Sequence, residues 1–232
     1  MHGKNHIERV KHDEGMELHV VKGSPFLTIQ GEGPYIGYPA IFIRLHGCHL
    51  RCVFCDTAFD DADDPTWTIY DLVGKITRIC KLAKLVVITG GEPMRQNIKP
   101  LCQQLCGNGF RVQIETAGTF WLDGIEKYAD IVCSPKTPTI HKEVYRHARA
   151  FKYVISTGQI FDDSYPVPIT ATQPEARPNR LALPRRGAAV YLSPMDEGDE
   201  TANAANRKLV GELAIRFGVI AGIQLHKFIG VE

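Results

Sequence analysis

KLVVITGG, residues 84–91, decides the fold class. Leu85, Val86, Val87 and Ile88 run without a polar break, and Gly90 and Gly91 end the run. A short apolar run that does not alternate suits a strand buried on both faces, as in a parallel sheet. Upstream, residues 68–84 carry apolar side chains at Ile69, Leu72, Val73, Ile76, Ile79, Cys80 and Ala83, which is helical spacing. Downstream, 97–107 reads as a second helix and FRVQIETAG, 110–118, as the next strand. Strands alternating with helices predict an α/β fold with parallel pairing.

The same rhythm extends both ways. MELHVVKG, from Met16, is a candidate first strand, and PAIFIRLHG, 39–47, is a stronger one. After 118 come a short helix near 121–128, the strand ADIVCSPK and the strand FKYVIS, 151–156. The rhythm then breaks. Residues 157–188 hold Pro166, Pro168, Pro174, Pro178 and Pro184 and no helical period, so this crossover reads as irregular chain. Arg177, Arg180, Arg185 and Arg186 within it read as solvated loop residues. AAVYLSP, 188–194, resumes as a strand, and TANAANRKLVGELAIRFG as a helix ended by Gly218. VIAGIQLHKFIGVE closes the chain with one more strand, GIQLHK being the apolar part. No repeat or second domain is evident, so 1–232 reads as a single domain.

Composition narrows the function classes. Net charge is +1 over 232 residues, which gives no electrostatic case for nucleic acid or an anionic membrane. The polar start MHGKNHIERVKHDEG lacks the apolar core of a signal peptide, and a cytoplasmic protein is expected. Seven cysteines, an odd number, argue against a disulfide framework. Cys80, Cys102, Cys106 and Cys133 sit in apolar or helical surroundings and read as buried small hydrophobes.

Cys48, Cys52 and Cys55 crowd into CHLRCVFCDT, 48–57, with spacing C-x3-C-x2-C. A structural zinc site wants four ligands, and His46 or His49 would have to complete it. An iron–sulfur cluster also prefers four cysteines, so three leave one iron open to a small molecule. The spacing alone leaves both readings standing.

The loop resembles the radical S-adenosylmethionine (SAM) enzymes, whose signature is C-x3-C-x2-C with an aromatic, here Phe54, before the last cysteine. TGGEP, 89–93, ETAG, 115–118, and SPK, 134–136, each end a strand and agree with it. Within that superfamily, FLTIQGEGPYIGYPAIFIRLHGCHLRCVFCDT, 26–57, is similar to the opening of the 7-carboxy-7-deazaguanine synthase family. FKYVI, YLSPMDE and QLHKFIGVE fit the same family in order. The resemblance implies an abbreviated partial (β/α) barrel, mostly parallel, with some crossover helices missing. It implies a [4Fe-4S] cluster, SAM and Mg2+, a pterin substrate, an electron donor such as flavodoxin or ferredoxin, and a homodimer. The implied reaction is ring contraction of 6-carboxy-5,6,7,8-tetrahydropterin to 7-carboxy-7-deazaguanine with loss of ammonia, on the way to queuosine.

Residue by residue, the resemblance makes Cys48, Cys52 and Cys55 the cluster ligands and Thr57 a magnesium ligand. Phe54, Cys55, Asp56, Gly91, Ser134, Pro135, Lys136, Ser193, Pro194, Met195 and Asp196 would meet SAM, and Glu115 its ribose. Relatives commonly carry Gln where this chain has Ser193. Ile29, Gln30, Gly31, Arg44, Thr89 and the terminal Glu232 would meet the substrate. An amide suits the donor–acceptor edge of a pterin, and Arg its carboxylate. Two alternatives share fewer of these blocks: another radical SAM enzyme such as a glycyl-radical activase, and a non-catalytic cysteine–metal module.

Overall fold

A computed structural model describes residues 16–55, 57, 63–79 and 81–231. In chain order the elements are β1 (Glu17–His19), β2 (Phe26–Ile29), β3 (Pro39–Leu45), β4 (Thr66–Thr68), α1 (Ile69–Ile79), β5 (Leu85–Gly90), α2 (Lys99–Gly107), β6 (Arg111–Thr116), β7 (Asp130–Cys133), α3 (Lys142–His147), β8 (Ala150–Ile155), β9 (Ile169–Thr170), β10 (Asn179–Arg180), β11 (Ala189–Pro194), α4 (Glu200–Phe217), β12 (Ile220–Ala221) and α5 (Leu225–Phe228). Eight strands form one sheet in the order β12-β11-β8-β7-β6-β5-β3-β2. Every neighbouring pair is parallel except β2 against β3. The strands therefore follow one another across the sheet in chain order, as a barrel wall does, with β12 and β2 at its two edges.

The apolar runs behave as parallel strands should. Leu85, Val86, Val87 and Ile88 are all buried, as are Ile41, Ile43, Ile131 and Val132. The amphipathic face of α1, with Ile69, Leu72 and Ile76, and the buried Leu101, Cys102 and Leu105 of α2 join one core with Ile41, Ile43, Val86, Ile88 and Ile131, while Leu85 and Val87 pack with Tyr35 and Ala40 in a second, smaller cluster. Crossover helices are incomplete. A single 3-10 turn, Ile125–Lys127, replaces the helix near 121–128 between β6 and β7. Between β8 and β11 the Pro-rich segment carries only the two-stranded antiparallel β9–β10 ribbon. Arg177 and Arg186 there are exposed and Arg180 and Arg185 half-buried. Gly218, at φ 64°, ends α4 in the left-handed conformation.

Further elements depart from the sequence expectation. FLTI, 26–29, is a strand that forms the antiparallel edge. Lys142–His147 is a helix with only Val144 buried. GIQLHK is not a strand: β12 ends at Ala221, and the chain turns into α5 at Leu225. The apolar residues there are half-exposed, so no sheet face demands alternation. Cys102 and Cys133 are fully buried and Cys106 half-buried, while Cys80 lies outside the described residues. The six described cysteines are free. No described helix is long and apolar enough to cross a membrane.

Candidate active site

β3 delivers the chain straight into the cysteine loop, and β5 delivers TGGEP beside it. The two loops cross at backbone distance. The Gly91 amide donates to the Leu45 carbonyl at 2.9 Å, and the Glu92 amide to Gly47 at 3.0 Å. A Cβ on Gly90 would stand 2.2 Å from the Leu45 nitrogen, and one on Gly91 1.8 Å from the Gly47 oxygen. Gly90 also has φ 117°, which only glycine adopts without strain. The glycine pair thus lets TGGEP seat itself on the root of the cysteine loop.

Glu92, fully buried, fastens that junction to the next strand. Its carboxylate accepts from the Thr116 hydroxyl at 2.7 Å, the Ala117 amide at 2.8 Å and the Met94 amide at 3.2 Å. Burial pushes its carboxyl upward despite these three bonds. The TGGEP and ETAG blocks are therefore one hydrogen-bonded unit.

At the carboxyl ends of the strands lies a cavity of about 270 Å³. Parallel α/β sheets place ligands at this end. Cys48, Cys52, Phe54, Cys55 and Thr57 border it from the loop, and Thr89, Gly91, Ser134, Lys136, Ser193, Pro194, Met195 and Asp196 from the strand ends. Pro135 is buried behind Ser134 and does not line it. Asp56 lies outside the described residues.

The donor set fits a cluster better than a zinc ion completed by histidine. His46 Nδ1 is held by Asp64 at 2.8 Å, and His49 Nε2 by the Thr119 hydroxyl at 2.8 Å. One nitrogen of each imidazole is thus taken by a neighbour other than a thiol, while His49 Nδ1 is buried without a hydrogen-bond partner. Among the described residues no three His, Cys, Asp or Glu side chains converge as ligands of a single ion do; the three thiols instead border one void. Burial pushes the Cys48 thiol up to about 12, so a cation must enter before it ionises at neutral pH. Ser193 Oγ is buried without a hydrogen-bond partner at the edge of the same void, which suits a polar ligand.

Charged groups line the far wall. Lys136 Nζ donates to the Ser134 carbonyl at 2.9 Å and stands 5.7 Å above the Phe54 ring. Burial lowers its pKa. Lys152, on β8, donates to Glu115 at 2.8 Å and to Glu32. Glu115 also accepts from Gln30 at 2.8 Å and Gln113 at 3.0 Å. Burial alone would raise Glu115, but Lys152 and these bonds outweigh it and hold the carboxyl low. Burial alone would lower Lys152, and its two carboxylates raise it instead.

A second cavity, about 150 Å³, opens from the first, sharing Glu32, Thr57, Thr89 and Glu115 with it. Ile29, Gln30 and Arg44 line it, and the Arg44 guanidinium lies 5.3 Å from the Phe26 ring. Gly31 turns away: its carbonyl accepts from the Leu225 amide at 3.0 Å, and a Cβ there would strike the His226 ring. The tail closes this side. Gln224 borders both cavities and His226 the second, while Lys227 pairs with Asp196 and, with two hydrogen bonds at that carboxylate, keeps it strongly acidic. Glu232 lies outside the described residues.

Glu32, Glu92, Lys152, Gln224 and His226 were not expected as wall residues. Lys152 carried one signal. A lysine inside the apolar run AFKYVI must find partners if the strand is buried on both faces.

Comparison with known proteins agrees with this geometry. The Radical SAM superfamily profile matches residues 42–161. A protein of Rhodospirillum rubrum named 7-carboxy-7-deazaguanine synthase is 39% identical over 215 residues, covering 89% of this chain and 90% of its own. One of the same name from Rickettsia prowazekii is 38% identical across 100% of this chain and 96% of its own. The crystal structure of QueE from Escherichia coli superposes with a TM-score of 0.65 at 25% identity, covering 91% of this chain and 95% of that one. The chain belongs to the radical SAM superfamily and, within it, to the 7-carboxy-7-deazaguanine synthase family.

Proposed function

We propose that this protein contracts 6-carboxy-5,6,7,8-tetrahydropterin to 7-carboxy-7-deazaguanine with release of ammonia. The observation that carries the reading is the pair of connected cavities at the strand ends. One is bordered by three cysteines, the other by an amide and a guanidinium, in a chain matching the named synthases over nearly its whole length. A [4Fe-4S] cluster with bound SAM supplies, when present, a 5′-deoxyadenosyl radical able to take hydrogen from the pterin.

The chain's own residues bind and orient. Cys48, Cys52 and Cys55 hold the cluster. Phe54, Cys55, Gly91, Ser134, Pro135, Lys136, Ser193, Pro194, Met195 and Asp196 form the SAM wall, Pro135 by backing Ser134, and Asp56 would meet SAM as well. Ser193 Oγ is free to donate to that ligand. Arg44 takes the pterin carboxylate as a charge-assisted pair. Ile29, Gln30 and Thr89 face the ring, and Gly31 shapes the turn on which the tail rests. Glu115, locked as a carboxylate by Lys152, stands at the junction of the cavities and accepts hydrogen bonds from the SAM ribose. Thr57 borders both cavities, where its hydroxyl and substrate oxygens would complete a magnesium shell with water. Glu232 would meet the pterin through its terminal carboxylate. A flavodoxin or ferredoxin supplies electrons, and the working form is a cytoplasmic homodimer.

Turnover tests the reading. The anaerobically reconstituted, reduced protein given SAM and the carboxytetrahydropterin should release one ammonia per 7-carboxy-7-deazaguanine. A protein that holds its cluster and cleaves SAM but leaves the pterin intact would favour the activase alternative.

A further inference from the structure

The Pro-rich segment lacks a helix, yet it reaches the cysteine loop. The Val53 amide donates to the Thr172 carbonyl at 2.9 Å, and the Arg51 amide to Gln173 Oε1 at 2.6 Å. Gln173 Nε2 then faces Cys52 Sγ at 3.3 Å and the Thr172 hydroxyl at 3.3 Å. That hydroxyl donates in turn to the Lys136 carbonyl. The orientation of the amide is fixed chemically. Flipping it would set an NH2 group against the Arg51 N–H and an oxygen against the sulfur, losing both bonds.

An iron-bound thiolate has no proton, so an N–H donor aimed at its sulfur is the matching partner. Such bonds stabilise the more negative, reduced cluster and so raise its potential. We propose that Gln173 is a positioning residue for the cluster: it clamps the cysteine loop through Arg51 and donates an N–H···S bond to Cys52 that eases reduction. The irregular crossover would thus have a task that a helix in its place does not perform. It brings one amide to a cluster ligand and ties that ligand to the Lys136 segment of the SAM wall. This inference rests on the cluster assignment above.

Two variants separate tuning from clamping. Gln173→Glu keeps the acceptor for the Arg51 amide, loses the donor and adds a negative charge. Gln173→Leu loses both bonds. Both should load full iron and sulfide, because Gln173 is half-buried outside the core. Spectroscopic redox titration should show both variants harder to reduce, Glu more than Leu. At a fixed potential the reduced-to-oxidised ratio should fall roughly three- to tenfold, tenfold being about 59 mV for one electron. The Glu charge would lower the potential with or without an N–H···S bond, so the Leu variant, which adds no charge, carries the decision. A Leu potential equal to that of the wild type would overturn the proposal. If a variant loads poorly, pulsed EPR of the reduced wild type, labelled with 15N at glutamine side-chain amides, still decides. A coupled 15N nucleus is expected, and its absence would overturn the bond. A wild type that loads no cluster at all would instead overturn the cluster assignment beneath both readings.

Discussion

The floor and the rim of the site are built in opposite ways. The floor is made of strand ends tied into the sheet ladder. Of its polar groups, Glu92 and Lys152 are buried and Glu115 is half-buried, and all three are paired. The rim consists of the cysteine loop, the Pro-rich crossover and the tail at 222–231, joined by a few hydrogen bonds outside any sheet ladder, such as Arg51 to Gln173 and Leu225 to Gly31. Floor residues carry stability and chemistry together, because a charge removed there strands another. Rim residues carry chemistry with little stability, because water replaces what they lose.

The sharpest way to break this contrast is at the rim. Cys52→Ala should abolish cluster loading and turnover altogether, since a ligand is lost. The metal-free variant should melt with the metal-free wild type. Full iron content with turnover would refute the ligand assignment, and a large drop in melting temperature would refute the contrast.

Lys152→Met tests the floor. It leaves Glu32 and Glu115 without their shared cation, and breaking a buried ion pair costs about 3–5 kcal/mol. Chemical denaturation at neutral pH should show that loss. A cost under about 1 kcal/mol, the range of exposed pairs, would mean the triad is solvated.

The pH dependence sharpens the same point. The folded-state pKa of Glu115 is depressed, so its contribution is present above the ordinary carboxyl range and lost as pH falls through the folded value. Lys152 is raised, so its contribution is present below the ordinary lysine pKa and lost only as pH rises through the folded value. Wild-type stability should therefore decline on the acid side. In Lys152→Met, burial instead penalises the Glu115 charge, and protonation relieves it. The stability gap between the two proteins should narrow as pH drops below 7, and denaturation curves across pH would show it.

Smaller effects are expected at the rim's edge. Thr57→Ala should weaken the response of turnover to magnesium more than it weakens SAM binding, because alanine offers no oxygen ligand. Lys227→Met removes a partly exposed ion pair with Asp196 and should cost at most about 1 kcal/mol of stability.

What was legible in the sequence follows this division. Unbroken apolar runs such as LVVI and IVC mark floor strands because both their faces are buried. Motifs ending those strands gather at one cavity because parallel strands all point one way. The rim was harder to read. FLTI is a four-residue edge strand, and α3 buries only Val144, so neither displays a period. GIQLHK reads as a strand on apolarity alone, yet Gln224 and His226 border the cavities of the site rather than a core. The partners of Lys152 lie 120 and 37 residues away, a pairing no local pattern encodes.

The central claim is that two connected cavities hold SAM and the pterin side by side. Calorimetric titration of the carboxytetrahydropterin into unreduced, cluster-loaded protein already saturated with SAM tests it most directly. One pterin per chain should bind, and Arg44→Ala should lose most of that affinity while keeping SAM affinity unchanged. Pterin that binds only when SAM is absent, or binds equally well to Arg44→Ala, would contradict the account.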